Sequence, residues 1–331
     1  MTAEIPLPLR PLGAGGPMLP AIGLGCMSFS GVYGAVTEEE AIRLIHHAID
    51  RGVTHLDTSD AYGFGHNESL LGRALRGRRQ KVFLATKFGQ IRRPDGSTAI
   101  DGSPAHVRRA CEESLQRLGV EVIDLYYQHR PDPAVPVEET VGEMARLVQE
   151  GKVRFLGLSE AAPERIRRAQ AVHPIAAVQT EYSLLYRQEA EETRRLTRAL
   201  GIAFVAYAPL GRGLLAGAIR SAEDVDGRRA QHPRFAPENL GHNLALVARL
   251  QDIAQQKGCS LAQLGLAWLL AQGEDVLPII GTRSIAHLEE NLGALSLRLT
   301  AADIAAIAAA VPAGAAAGTR YPPAQMRNVY L

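Results

Sequence analysis

The chain has 331 residues, 46% of them hydrophobic, with 36 Lys and Arg against 35 Asp and Glu. A formal charge of +1 supplies no global field for a polyanion, which excludes a general nucleic-acid or membrane-surface binder, and the dispersed hydrophobicity excludes disorder as the default. No apolar run approaches the roughly 20 residues of a membrane span, and Met1 to Pro11 carry no apolar signal core, so a cytoplasmic protein is expected.

In chain order, Ile22–Leu24 is the first strand-length apolar run. Thr37 and Glu40 then form a capping box ahead of a helical face made of Ala41, Leu44, Ile45, Ala48 and Ile49, with Gly52 at its end. Val53–Leu56 and Val82–Ala85 read as strands. Ser103 before Pro104 reads as N-cap and first helical residue, and Val107, Ala110, Cys111, Leu115 and Leu118 share the face that follows, up to Gly119. Asp124–Tyr127, Val153–Leu158, Ala176–Gln179, Ile202–Tyr207 and Val276–Ile280 are further strands, two of them preceded by Gly151 and Gly201 at helix ends. Residues 211–243, rich in Gly, Pro and charge, read as a lid or mobile loop. Ser260–Ala271 reads as an extra helix before the eighth strand, and the tail from Pro312 as irregular.

Strands alternating with helices imply a parallel sheet with crossover helices. Length alone fits either two domains or one barrel, but eight strands with eight helices are the arithmetic of a closed (β/α)8 TIM barrel spanning 1–331 as one domain, enlarged by the loop after strand seven and by extra C-terminal helices. An open doubly wound sheet would carry a Gly-rich fingerprint after an early strand, whereas Gly13–Gly16 precedes the first one. Cys26, Cys111 and Cys259 are odd in number, far apart and outside any CxxC spacing, which argues for buried thiols in a reducing compartment over disulfides or zinc. No metal site is expected, since consecutive His46 and His47 diverge on a helix and His55 and Asp57 have no further ligand at metal spacing.

Barrel catalysis uses the C-terminal strand ends. Strand two ends in phase on Asp57, strand three on Lys87 and strand four on His129, with Tyr62 in the turn after strand two. One charged strand end is usually a structural ion pair. Three in phase around a tyrosine admit a chemical reading, in which Lys87, held by Asp57, tunes the phenol of Tyr62 and a neutral His129 donates to a substrate oxygen. Such a site protonates an alkoxide formed from a carbonyl, and it needs a hydride source.

HLDTSDAYGFGHNESLLGRAL from His55 to Leu75 resembles a signature of the aldo-keto reductase superfamily, as do ATKFG at 85–89, DLYYQHRPDP at 124–133 and QEGKVRFLGLSE at 149–160. QTEYS at 179–183, AYAPLGRGLL at 206–215 and PIIGTRSIAHLEENLGAL at 278–295 continue it in order, from about Leu9 to Val311. The resemblance implies a (β/α)8 barrel that reduces aldehydes and ketones with a nicotinamide cofactor, the Asp, Tyr, Lys, His tetrad falling on Asp57, Tyr62, Lys87 and His129.

For the cofactor, the resemblance implies Gly25, Cys26, Met27 and Asp57 beside the nicotinamide. Ser159 and Gln179 hold its amide, with Glu160 where many members have Asn, and Tyr207 stacks on the ring. Pro209, Leu210, Gly211, Arg212 and Gly213 take the pyrophosphate, a loop whose glycines and backbone N–H groups suit close approach. Ala208 stands where many members have Ser. Ile280, Gly281, Thr282 and Arg283 lead into a helix whose N-terminus suits a phosphate. Arg283 is matched to an adenosine 2'-phosphate, and His287, Glu290 and Asn291 to the adenosine side. NADP(H) is therefore expected in preference to NAD(H).

Phe29, Tyr33, Phe88 and Arg130 are expected to line a pocket for a small aldehyde or ketone. No nucleic-acid or membrane partner is expected, and oligomeric state stays open. The alternative from another class is a cofactor-sensing regulatory subunit, resembling potassium channel beta subunits, with little turnover.

Overall fold

A computed structural model describes residues 7–93 and 95–331, so the Met1–Pro6 part of the amino-terminal segment lies outside the described residues. Eight parallel strands close into one barrel in strictly sequential order: β1 (Gly23–Gly25), β2 (His55–Asp57), β3 (Phe83–Phe88), β4 (Ile123–Gln128), β5 (Val153–Ser159), β6 (Ile175–Glu181), β7 (Ala203–Tyr207) and β8 (Val276–Ile280). The crossovers and outer ring are α1 (Glu38–Asp50), α2 (His66–Ala74), α3 (Pro104–Leu118), α4 (Val137–Gln149), α5 (Pro163–Val172), α6 (Gln188–Ala199), α7 (Pro237–Gln256), α8 (Leu261–Leu270), α9 (Ile285–Leu292), α10 (Ala301–Ala310) and the short α11 (Pro323–Met326). This is the (β/α)8 barrel expected from the alternation.

Strand alternation sorts side chains into two cores. Phe83, Ala85, Leu125, Tyr127, Ala177, Val205 and Leu277 fill the barrel, while Leu24, Leu56, Leu84, Tyr126, Leu156, Val178 and Phe204 pack outward under the helices. Tyr127 fits because β5 carries Gly157 beside it: a Cβ there would stand 2.3 Å from the ring. An antiparallel hairpin, Leu9–Pro11 with Met18–Pro20, plugs the barrel floor with Leu12 and Leu19.

Local signals behave as their chemistry dictates. Thr37 Oγ1 accepts from the Glu40 N–H at 3.2 Å and Glu40 returns a carboxylate to the Thr37 N–H at 2.9 Å. Gly52, Gly119, Gly151 and Gly201 all sit at positive φ, where a Cβ is strained. The apolar runs locate the strands but misplace their ends. The β3 ladder continues through Lys87 to Phe88 and β4 through Gln128, because polar residues end a hydrophobic run without ending the pairing.

Three expectations change. Residues 211–236 form successive 3-10 turns, and α7 begins already at Pro237 inside the segment read as loop. A second hairpin, Gln90–Arg92 with Thr98–Ile100, stands between β3 and α3. The tail is largely irregular but carries α11 and is docked: the Ala162 N–H donates to Leu331 O at 2.9 Å and the Tyr330 N–H to Glu160 O at 2.6 Å. Among the described residues no helix is long and apolar enough to cross a membrane.

Candidate active site

Asp57 ends β2, Lys87 is the penultimate residue of β3, His129 follows β4, and Tyr62 comes from the turn after β2. Asp57 and Lys87 are buried, and Lys87 spends all three ammonium hydrogens. One goes to Asp57 Oδ1, one to Thr58 O at 2.8 Å, and one to Tyr62 Oη at 3.3 Å. The second Asp57 oxygen accepts from Gln179 Nε2 at 2.8 Å, which ties β6 to the same group. Lys87 Nζ also lies 5.0 Å from the centre of the Tyr62 ring.

Burial pulls the Lys87 pKa down, but the charge and hydrogen bonds of Asp57 and Tyr62 more than offset it, so the ammonium stays above its ordinary range. For Tyr62 burial dominates and raises the phenol pKa, with Lys87 pulling it down and Asp57 pushing it up. The sequence argument weighed the ammonium alone; the net direction is upward because desolvation of a phenolate outweighs it. His129 is held well below its usual range by burial and by Arg130, Lys87 and Arg228, and is therefore neutral. Its Nδ1 lies 3.0 Å from Ser59 Oγ, and its ring meets that of Tyr62 edge-on at 5.7 Å.

These groups open into a cavity of about 1040 Å³ at the C-terminal mouth of the barrel. Of the expected cofactor residues, Gly25, Met27, Asp57, Ser159, Gln179, Tyr207, Pro209, Leu210, Arg212, Gly213, Gly281, Thr282, Arg283, His287, Glu290 and Asn291 line it, as do Tyr33 and Arg130 of the expected substrate pocket. Ser159 Oγ is buried there without a partner. Arg283 lies beside Gly34 and donates to Ala35 O at 3.1 Å.

Six expected residues lie elsewhere. Phe88 points outward by alternation with Lys87 and stacks on Tyr126 at 4.8 Å. Phe29 and Cys26 belong to a 3-10 turn whose side chains enter the outer core, where the Cys26 thiol faces Leu24 O. Ile280 is out of phase with the cavity-lining Ile279, and Gly211 is covered. Glu160, at φ +58°, is enclosed and off the cavity wall, its carboxylate accepting from Arg320 at 2.6 and 2.5 Å and from the Glu181 N–H at 3.1 Å. His55, in phase with Asp57, is packed edge-on to Phe83 at 5.8 Å, and burial lowers its pKa to about 4.

Sequence reasoning expected the tail to wall the pocket but named none of its residues. Tyr321 lines the cavity, its hydroxyl 2.9 Å from that of Tyr207 and 3.2 Å from Arg130 Nη2. No periodicity or spacing connects residue 321 with 130 or 207. The hairpin after β3 adds Gln90, Ile91 and Thr98–Ile100 to the rim.

Residues 21–312 match the family model described as "Aldo/keto reductase family". The chain is 48% identical over 313 residues to a probable aldo-keto reductase 1 of Glycine max, covering 94% of this chain and 90% of that protein. Among solved structures it is similar to the glycerol dehydrogenase AKR11B4 of Gluconobacter oxydans, at 28% identity and a TM-score of 0.83 over 98% of this chain and 99% of that one. It is also similar to an aldo-keto reductase of Klebsiella pneumoniae solved with NADPH, at 27% identity and a TM-score of 0.75 over 95% and 98% of the two chains.

Proposed function

This chain belongs to the aldo/keto reductase family, and from that premise we propose that it reduces small aldehydes and ketones reversibly with NADPH, Tyr62 serving as the proton donor. The observation that carries the reading is the threefold commitment of Lys87 to Asp57, Thr58 O and Tyr62 Oη. Since Tyr62 Oη accepts from Lys87, its own hydrogen is turned away from the ammonium and is free to face the cavity.

When bound, NADPH supplies the hydride. The phenol of Tyr62 gives its proton to the carbonyl oxygen as charge develops there, and the phenolate left behind sits against the Lys87 ammonium. Burial keeps the resting phenol protonated, and Lys87 favours the charge only once it forms. Neutral His129, with Ser59 Oγ donating to Nδ1, would present an Nε2–H that hydrogen-bonds the same oxygen without transferring its proton, which orients the carbonyl. In alcohol oxidation Tyr62 acts as the base.

The residues present fit the cofactor. The unpartnered hydroxyl of Ser159 suits a carboxamide, and no neighbour comes nearer than 3.5 Å to a Cβ built at Gly25, which leaves room for a close approach. Gln179 shares the amide, Tyr207 offers a ring to stack on, and the Leu210 and Arg212 N–H groups with the α9 N-terminus offer donors to phosphates, the Gly211 and Gly213 N–H groups being spent within the loop. Arg283 is the group that would favour NADPH over NADH. The gathering of the other three tetrad groups around the Tyr62 phenol supports turnover over the regulatory-subunit alternative.

Mixing the protein with NADPH and a panel of aldehydes and ketones tests this. Oxidation of many equivalents of NADPH per chain is expected with at least part of the panel. Tight cofactor binding with no more than one equivalent consumed across the panel would contradict it.

A further inference from the structure

We propose that Arg130 forms a subsite for a carboxylate carried by the substrate, so that oxo acids are preferred over neutral carbonyl compounds of the same size. The inference rests on the reading of Tyr62 and His129 as the groups that hold the carbonyl.

Four guanidinium groups, Arg130, Arg212, Arg234 and Arg320, cluster around Tyr321 and Tyr186, the first two lining the cavity and the last two buried, and two carboxylates serve three of them. Arg320 holds Glu160 bidentately. Arg212 grips Glu181 at 2.9 and 2.8 Å, and Arg234 reaches the same carboxylate at 3.2 Å. Arg130 is left with neutral acceptors only: Nη1 donates to His129 O at 3.1 Å and Nη2 to Tyr321 Oη at 3.2 Å. Among the described residues no carboxylate pairs with it. Arg130, Arg212 and Arg320 all lie within 5.7 Å of the centre of the Tyr321 ring, so one aromatic face meets a concentration of positive charge.

Arg130 is half-buried, and the carboxylate whose charge acts on it, Glu160, is already held by Arg320, so a ligand anion would give Arg130 a direct partner of its own. Arg130 lines the cavity, and its charge acts on both Tyr62 and His129. Two of its five N–H groups are engaged, which leaves three for a planar, forked acceptor. The adenosine 2'-phosphate has its own partner elsewhere, and Arg212, assigned to the pyrophosphate, is already paired with Glu181. Arg283 follows β8, which stands across the barrel from β4 and Arg130 in the sequential ring of eight strands. An anion at Arg130 therefore belongs to the molecule whose carbonyl meets Tyr62.

The test compares 4-oxobutanoate with its neutral isostere 4-oxobutanamide, using NADPH and the full chain. The wild type is expected to favour the acid in kcat/KM by about 10- to 100-fold, the range of a charge-assisted fork. Arg130→Met should bring the ratio near one, mainly through KM for the acid, and Arg130→Lys should keep part of it, since charge persists and the fork does not. A wild-type ratio near one, an equal loss for both substrates, or a loss expressed in NADPH affinity would overturn the subsite. Titrating the NADP-loaded wild type with succinate and with succinamide decides the point without turnover or mutation: binding of the diacid alone supports the subsite, and equal or no binding overturns it. If neither carbonyl compound is turned over, the panel of aldehydes and ketones still decides the reductase reading and the succinate titration still decides the subsite.

Discussion

Lys87 shows how one side chain can leave an acid protonated and still prepare it to ionise. Burial holds Tyr62 as a phenol, and the ammonium, fixed by Asp57 and Thr58 O, is already in place for the phenolate. Preorganisation of this kind acts on charge as it develops, where it contributes most to rate. In the proposed function Arg283, which lines the same cavity, has the corresponding duty toward the cofactor. Arg283→Ala is expected to weaken NADPH about 10- to 100-fold by fluorescence titration while NADH changes by less than about threefold, since only the 2'-phosphate would lose its forked partner. Equal losses would remove Arg283 from that role. Asp57, Lys87 and His129 were legible because period-two alternation fixes which strand residues share a face. The same rule, applied to Phe88, turns it away from the pocket, since it adjoins the inward Lys87. Phe29 and Cys26 were beyond its reach, because a 3-10 turn has no strand phase.

The elements that complete the site are the β strands and the docked tail. Strand identity was readable from apolar runs, and strand ends were not, because Lys87 and Gln128 stay in the ladder while leaving the hydrophobic pattern. The hairpin after β3 escaped notice since its two strands are only three residues each and mixed in polarity. The way the tail docks was not readable, because its anchor is a contact across 160 positions, Arg320 on Glu160, both fully enclosed. Breaking such a pair leaves a bare buried charge. Arg320→Met should cost about 3–5 kcal/mol by denaturant unfolding, and adding Glu160→Gln should recover most of it. Failure of the double variant to recover stability would mean that Arg320 acts through packing instead of charge. The double variant should also lose the Tyr321 to Tyr207 contact, because the tail is held over β5 by the same residue that pairs with it.

At the scale of the whole molecule, the balanced charge of +1 and the cationic cavity wall are compatible, since Arg130, Arg212, Arg220, Arg228, Arg229 and Arg283 line one mouth of the barrel while arginines elsewhere pair with acidic side chains, as Arg73 does with Glu38 and Arg168 with Glu138. The length that first fitted two domains is taken up by one closed barrel, its bottom hairpin, the 3-10 turns of 211–236, the extra helix α8 and the tail. The barrel supplies rigidity, with Tyr127 wedged against Gly157 directly beneath the tetrad, and the loops and tail supply the shape of the pocket. The central claim is that Tyr62 transfers the proton during carbonyl reduction. It is tested most directly by rapid mixing of NADPH-loaded wild type and Tyr62→Phe with an aldehyde that the wild type turns over, under single-turnover conditions. The reduction rate constant is expected to fall by about 10²- to 10⁴-fold in the variant, with NADPH affinity retained. An unchanged rate constant for the chemical step would contradict the account.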